Sequence, residues 1–235
     1  MLLTMNEKPI KKVAVVNDTA TNRDEMAESL IEIGLEPIIQ TSRLNSIEDC
    51  ITTVMNQAEA AILEHHFKSD YYANFRGAEV VAQLYRQHFP SLLVTAWAEA
   101  DRDNIHPFRR HIPVLIRSNQ AEPESIIGGF EQCLNEFKNS YSSERKPWRT
   151  LVRIEEVHQD SEKTMVYAMV PAWNPRQVVK FPLSLFPMNL QASVEPEARF
   201  LAKVNIGATH YDELYFTDFN IVDKPRGEYA KFLHS

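Results

Sequence analysis

EAAILEHHFK, residues 59–68, is the stretch whose reading decides the fold. Ala60–Leu63 is a continuous apolar run that opens after Glu59 and closes on Glu64, His65 and His66. A short run of this kind between polar residues reads as a strand buried on both faces, and such strands belong to parallel sheets covered by helices. A strand of that kind needs neighbours of its own sort, and the flanking sequence supplies them.

Upstream, Lys12–Val16 is a second buried strand, and Glu36–Thr41 a third. Between them Thr21 offers a helix cap for Arg23–Ile33, whose Met26, Leu30 and Ile33 share a face and which Gly34 stops. Ser46–Asn56 repeats the pattern with Ile47, Cys50, Ile51 and Val54 inward. Downstream come a helix over Gly77–His88, a strand at Leu92–Thr95, a short polar connection, a strand at Val114–Ile116 and a last helix from Glu122 to Phe137. Five strands alternating with helices predict an α/β doubly wound five-stranded parallel sheet of the flavodoxin-like kind over residues 1–137, with its strand-end loops gathered in one cleft.

The period then changes. Residues 138–148, KNSYSSERKPW, are polar and read as a linker. From Arg149 the spacing is two: Arg149–Val157, Thr164–Val170, Gln177–Phe181, Phe200–Ile206 and Leu214–Ile221 are strand candidates, and PLSLFP at 182–187 is one helical turn between two of them. Residues 149–235 are therefore expected to form a small all-β, barrel-like domain, a five-stranded barrel or a rolled sheet.

Bulk properties restrict function more than they define it. The 235 residues suffice for two domains with cores of their own, and 44% hydrophobic with 24% charged residues is the balance of a soluble globular chain. There is neither a signal-like leader nor an apolar run of membrane-spanning length, so a cytoplasmic location is expected. Cys50 and Cys133 are far apart and show no metal-ligand spacing, so both are expected as thiols. Of the net charge of −7, residues 149–235 carry about −1, from ten Lys/Arg against eleven Asp/Glu, which leaves −6 to the first half. Neither half is basic, which disfavours nucleic acid.

The strand ends carry the chemistry. VAVVND closes on Asn17 and Asp18, AAILE on Glu64, LLVTAW supplies Thr95, and PVLIRS supplies Arg117, 22 residues after Thr95. With residues in these places the segment 11–137 resembles a response-regulator receiver domain of the CheY-like kind. The resemblance implies two acids after the first strand that hold magnesium, an aspartate after the third as phosphoryl acceptor, a Ser or Thr after the fourth and a Lys after the fifth. Three positions depart from it. Asn17 removes a carboxylate from the metal site, Glu64 sets its carboxylate one methylene further out than in-line transfer needs, and Arg117 replaces a compact ammonium with a planar fork. Ser118 also stands where the family usually has proline, and Val114 where it often has an aromatic residue. The pattern is that of a pseudo-receiver, with neither metal nor cofactor expected.

Two surface features are candidate partner sites. The loop FKSDYYANFR carries Tyr71, Tyr72 and Phe75 beside Arg76, residue types enriched at interfaces. Arg109 and Arg110, between His106 and His111, occupy the place of the receiver's fourth helix, where Pro107 allows at most a short one; a solvated charge run is the plainer reading. His65 and His66 are expected as solvated loop side chains, since successive strand residues point to opposite faces and do not chelate one ion. In the β half no G-x-S-x-G, P-loop, H-E-x-x-H or paired-Cys motif occurs, and its aromatics mostly fill a core.

Three functions compete on these grounds. The first is a non-enzymatic signalling adaptor, with Glu64 either a permanent substitute for the phosphoryl charge or the relic of a decayed site, coupled to a β domain that binds protein partners or a second copy of the chain. The second is an atypical phosphorylatable regulator. The third is a receiver-linked barrel for single-stranded nucleic acid.

Overall fold

Strand alternation divides the apolar residues of the first half between two cores. Val13 and Val15 on β1 (Lys12–Val16), Ala60 and Ile62 on β3 (Ala60–Glu64), and Leu92 and Val94 on β4 (Ser91–Thr95) meet Met26, Leu30, Ile126, Phe130 and Cys133. Ala14, Val16, Ala61, Leu63 and Leu93 point the other way, onto Cys50, Val54, Val80, Val81 and Leu84. Both central strands are thus buried along their whole length, and each large side chain so buried contributes about 1.5–3 kcal/mol.

The computed structural model describes residues 4–5, 8–96, 102–159 and 163–222, and the chain divides into two compact units, Met1–Ser142 and Ser143–Ser235. In the first, α1 (Ala20–Glu32), β2 (Glu36–Gln40), α2 (Ile47–Gln57), α3 (Gly77–Arg86), α4 (Arg102–Ile105), β5 (Leu115–Arg117) and α5 (Pro123–Phe137) complete the alternation. Its five-stranded sheet is parallel throughout, in the order β2-β1-β3-β4-β5, and a separate two-residue antiparallel pair, Thr4–Met5 with Lys8–Pro9, precedes it. This is the flavodoxin-like doubly wound order expected, with sites at the carboxyl ends of the strands. Ser46 caps α2, its hydroxyl accepting the Asp49 N–H at 3.1 Å. The cap of α1 is not Thr21 as expected; the helix opens after Thr19, whose N–H is taken by the Asn17 side-chain oxygen at 2.8 Å. Pro107 does shorten the fourth helix: one-turn α4 runs into a 3-10 segment, His106–His111.

The second unit holds β6 (Trp148–Gln159), β7 (Thr164–Val170), β8 (Asn174–Pro182), the short α6 (Met188–Gln191), β9 (Arg199–Val204) and β10 (Phe216–Ile221). They form one antiparallel sheet in the order β8-β7-β6-β9-β10. No ladder joins the edge strands β8 and β10 among the described residues, so of the two expected forms the unit is the rolled sheet and not a closed barrel. The sheet bends through register shifts at Ile154/Glu156, Asn174/Val178 and Leu201/Lys203. Side chains alone bring its edges together: Phe181 of β8 lies 4.4 Å from Phe216 of β10, ring to ring, with Phe186, Phe200 and Phe219 filling the space inside.

The expected linker is divided. Buried Asn205 donates to the carbonyls of Glu144 and Glu213, each at 3.0 Å, and accepts the Tyr215 N–H at 2.7 Å. Tyr215 donates its hydroxyl to the Arg145 carbonyl at 2.5 Å and carries the Arg145 guanidinium 5.0 Å above its ring. Gly207 permits the same docking, since a Cβ there would stand 2.1 Å from the Ser143 carbonyl oxygen. Residues 143–148 therefore belong to the β unit. No helix among the described residues is long and apolar enough to cross a membrane.

Candidate functional site

Register brings the predicted pocket residues to one end of the first sheet. Val16 pairs with Leu63, so Asn17 and Glu64 leave adjacent strands side by side; Glu64 pairs with Val94, and Thr95 with Arg117. Asn17, Glu64 and Thr95 are buried and Arg117 is exposed.

The carboxylate of Glu64 is engaged by its own surroundings. One oxygen accepts the His65 N–H at 2.9 Å and the His66 N–H at 3.4 Å, and the other accepts the Asn17 amide at 3.4 Å. The two longer contacts are the weaker ones. Asn17 cannot turn its oxygen toward this site without releasing the Thr19 N–H, and its backbone carbonyl accepts Arg23 at 2.8 Å. Asp18 points elsewhere: its carboxylate accepts the Ser69 N–H at 2.7 Å, tying the first strand's end to the loop after the third. Among the described residues no cluster of three His, Cys, Asp or Glu side chains is arranged to hold a metal ion.

The start of α3 presses on the same strand end. A Cβ on Gly77 would lie 2.0 Å from the Glu64 carbonyl oxygen, so only glycine allows this approach. The Gly77 N–H donates to the His65 carbonyl at 3.0 Å, and the Ala78 N–H to His65 Nδ1 at 3.3 Å. His65 is thus a buried group at the start of α3 and not a solvated loop side chain, while His66 is exposed.

The aromatic loop also differs from expectation. Tyr72 is only 6% exposed, donates its hydroxyl to the Gln40 carbonyl at 2.8 Å and accepts the Leu44 N–H at 2.8 Å. Phe67 packs on Tyr72 at 5.5 Å and on Phe75 at 5.8 Å, and burial drives the Tyr72 phenol well above its ordinary pKa. A loop this long needs apolar contacts of its own to stay ordered, and it spends Tyr72 and Phe75 on them. Of the four interface candidates there, Tyr71, 76% exposed beneath the Arg43 guanidinium, and Arg76 remain on the surface.

Arg109 and Arg110 are not a solvated run either. Arg109 is buried and donates to the Ile112 carbonyl. Arg110 donates to the hydroxyls of Tyr85 at 3.1 Å and Tyr141 at 3.0 Å and stands 3.6 Å from the buried carboxylate of Glu136, which also accepts the Tyr85 hydroxyl at 3.0 Å. Burial, with Glu136 beside it, pushes the Tyr85 phenol up to about 12. The signal for this cluster lies in α5, where Glu136 continues the inward stripe of Ile126, Phe130 and Cys133. An acid on an apolar stripe requires a buried partner.

No family model and no curated protein matches the chain. Solved structures do. The chain is similar to a CheY-like response regulator receiver domain from Methanospirillum hungatei JF-1, at 15% identity over 55% of this chain and 98% of that one, with a TM-score of 0.42. It is also similar to the signal receiver domain of an HD domain-containing protein from Pseudomonas fluorescens Pf-5, at 9% identity over 59% and 96% of the two chains, with a TM-score of 0.43. A receiver domain from Clostridium thermocellum matches at 15% identity over 55% and 98%, with a TM-score of 0.41. The order of the first unit's five-stranded sheet, 2-1-3-4-5 with parallel pairing along it, is the flavodoxin-like doubly wound order, which receiver domains share.

Proposed function

We propose that the chain is a signalling adaptor whose receiver-like unit works without a phosphorylation cycle and whose β unit binds protein. The observation that carries this reading is the occupied state of the acceptor position. Glu64 accepts from two backbone N–H groups and from Asn17, and Asp18 is committed to Ser69. Phosphoryl transfer needs a nucleophile free to line up with the phosphorus and a metal drawing on clustered carboxylates. Here the carboxylates are spent on the chain itself, so the unit rests in a single state that partners read. Incubation with acetyl phosphate and Mg²⁺ followed by intact-mass measurement tests this. The unmodified mass is expected; a stable adduct of about 80 Da on the first unit overturns the reading in favour of a phosphorylatable regulator.

A further inference from the structure

The outward face of the β sheet contains a symmetrical group of cations. RTLVR at 149–153 on β6 pairs antiparallel with RFLAK at 199–203 on β9, so that Arg149 lies opposite Lys203, Leu151 opposite Leu201, and Arg153 opposite Arg199. The intervening Thr150, Val152, Phe200 and Ala202 are buried, and the last three belong to the aromatic core, so the six named residues share the other face. Met169 and Val178 continue the Arg153–Arg199 row across the sheet, since Arg153 pairs with Met169 and Met169 with Val178, which is 45% exposed, so the cation pair at that end has an apolar flank.

Like charges directly opposite one another destabilise a sheet, and here two such pairs flank one leucine pair. Compensation within the face is partial. Glu155 holds Arg153 at 2.6 Å and Asp218 holds Lys203 at 2.7 Å, whereas Arg149 and Arg199 make no ion pair among the described residues. Within a chain of net charge −7 this is a local inversion of sign with an apolar centre.

The spacing indicates the ligand. Along a strand the two cation pairs stand four residues apart, about 13 Å, with the leucines midway. An extended polypeptide with the pattern acid-x-apolar-x-acid has the same repeat. Single-stranded nucleic acid fits less well, because stacking calls for aromatic side chains where the centre of this face has leucine. We infer that the face built by RTLVR and RFLAK docks an extended acidic segment of a partner protein, with its acids on the Arg149–Lys203 and Arg153–Arg199 pairs and an apolar side chain on Leu151–Leu201. This rests on the reading of the second unit as protein-binding and gives that partner its chemistry.

The test uses the full chain and a fluorescent peptide built from the repeat Glu-Thr-Leu-Thr-Glu, with a Gln-for-Glu peptide and an oligothymidylate as controls. The acidic peptide is expected to bind, more weakly as salt rises from about 50 to about 300 mM, and Arg153→Gln/Arg199→Gln to lose about tenfold in affinity. Arg199→Gln alone should raise the melting temperature by about 1–4 °C, because it relieves the opposed charges. Absence of peptide binding, equal binding by the Gln peptide or by the double variant, or tighter binding of the oligothymidylate would each overturn the assignment, as would a melting temperature lowered by Arg199→Gln. Capture of a native partner by the double variant as well as by the wild type would sink this face while leaving the adaptor reading standing.

Discussion

Glu64→Gln is the substitution that best separates a structural acid from an idle one. It keeps the shape of the side chain and removes its charge, so part of the difference lies in the three hydrogen bonds described above. Bonds to an ionised acceptor are worth roughly 1.5–3 kcal/mol and those to a neutral one roughly 0.5–1.5 kcal/mol, so the good contact to the His65 N–H, at 2.9 Å, loses about 1 kcal/mol. A second cost follows from the amide's two ends. If its oxygen keeps the His65 N–H, its NH₂ faces the Asn17 NH₂, and Asn17 cannot flip to receive it without releasing the Thr19 N–H held at 2.8 Å. One unsatisfied buried donor adds about 1–2 kcal/mol, giving a loss of about 2–3 kcal/mol in all. Urea unfolding of the full chain, followed by amide signals of β1 and β3, measures it at neutral pH. A loss below about 0.5 kcal/mol, within the range of surface substitutions, would refute the reasoning.

Other expected outcomes follow from the same geometry. Asn205→Ala strands two carbonyls and the Tyr215 N–H, so the β unit should lose about 3 kcal/mol, seen as an earlier denaturant midpoint for β-unit signals alone. Gly77→Ala, which forces a Cβ against the Glu64 carbonyl, should cost about 1–3 kcal/mol by thermal melting and shift the amide signals of His65. The Tyr85 phenol, raised from 10 to about 12 in the fold, binds its proton more tightly folded than unfolded. Its contribution to stability is whole below pH 10 and lost as pH rises toward 12, and Tyr85→Phe should flatten that part of the stability curve.

The order of the first sheet is legible because parallel strands buried on both faces leave unbroken apolar runs, as in AAIL and LLV, and because their helices carry stripes such as Val80, Val81 and Leu84. The strand-end placing of Asn17, Asp18, Glu64, Thr95 and Arg117 is legible for the same reason: each closes or follows such a run. What surrounds them is not. Nothing local says that the Asp18 carboxylate accepts a backbone N–H 51 residues away, or that Tyr72 reaches the Gln40 carbonyl, since both depend on how a long loop folds back. Arg110 reads as solvated until α5 brings Glu136 beneath it. In the β half, two-residue alternation reveals strands but not closure, which depends on edge ladders and bulges; aromatic side chains that suit a barrel also fill a curled open sheet.

The central claim is that the pocket is held shut by the chain's own groups, and the backbone amides of His65 and His66 report on it directly because both donate to Glu64. Their ¹H–¹⁵N signals, followed through a titration with Mg²⁺ to about 10 mM and then with acetyl phosphate, are expected to stay in place, since neither a metal nor a phosphoryl group displaces the carboxylate. Saturable shifts of these two signals at low-millimolar Mg²⁺, or new signals on addition of acetyl phosphate, would contradict the account.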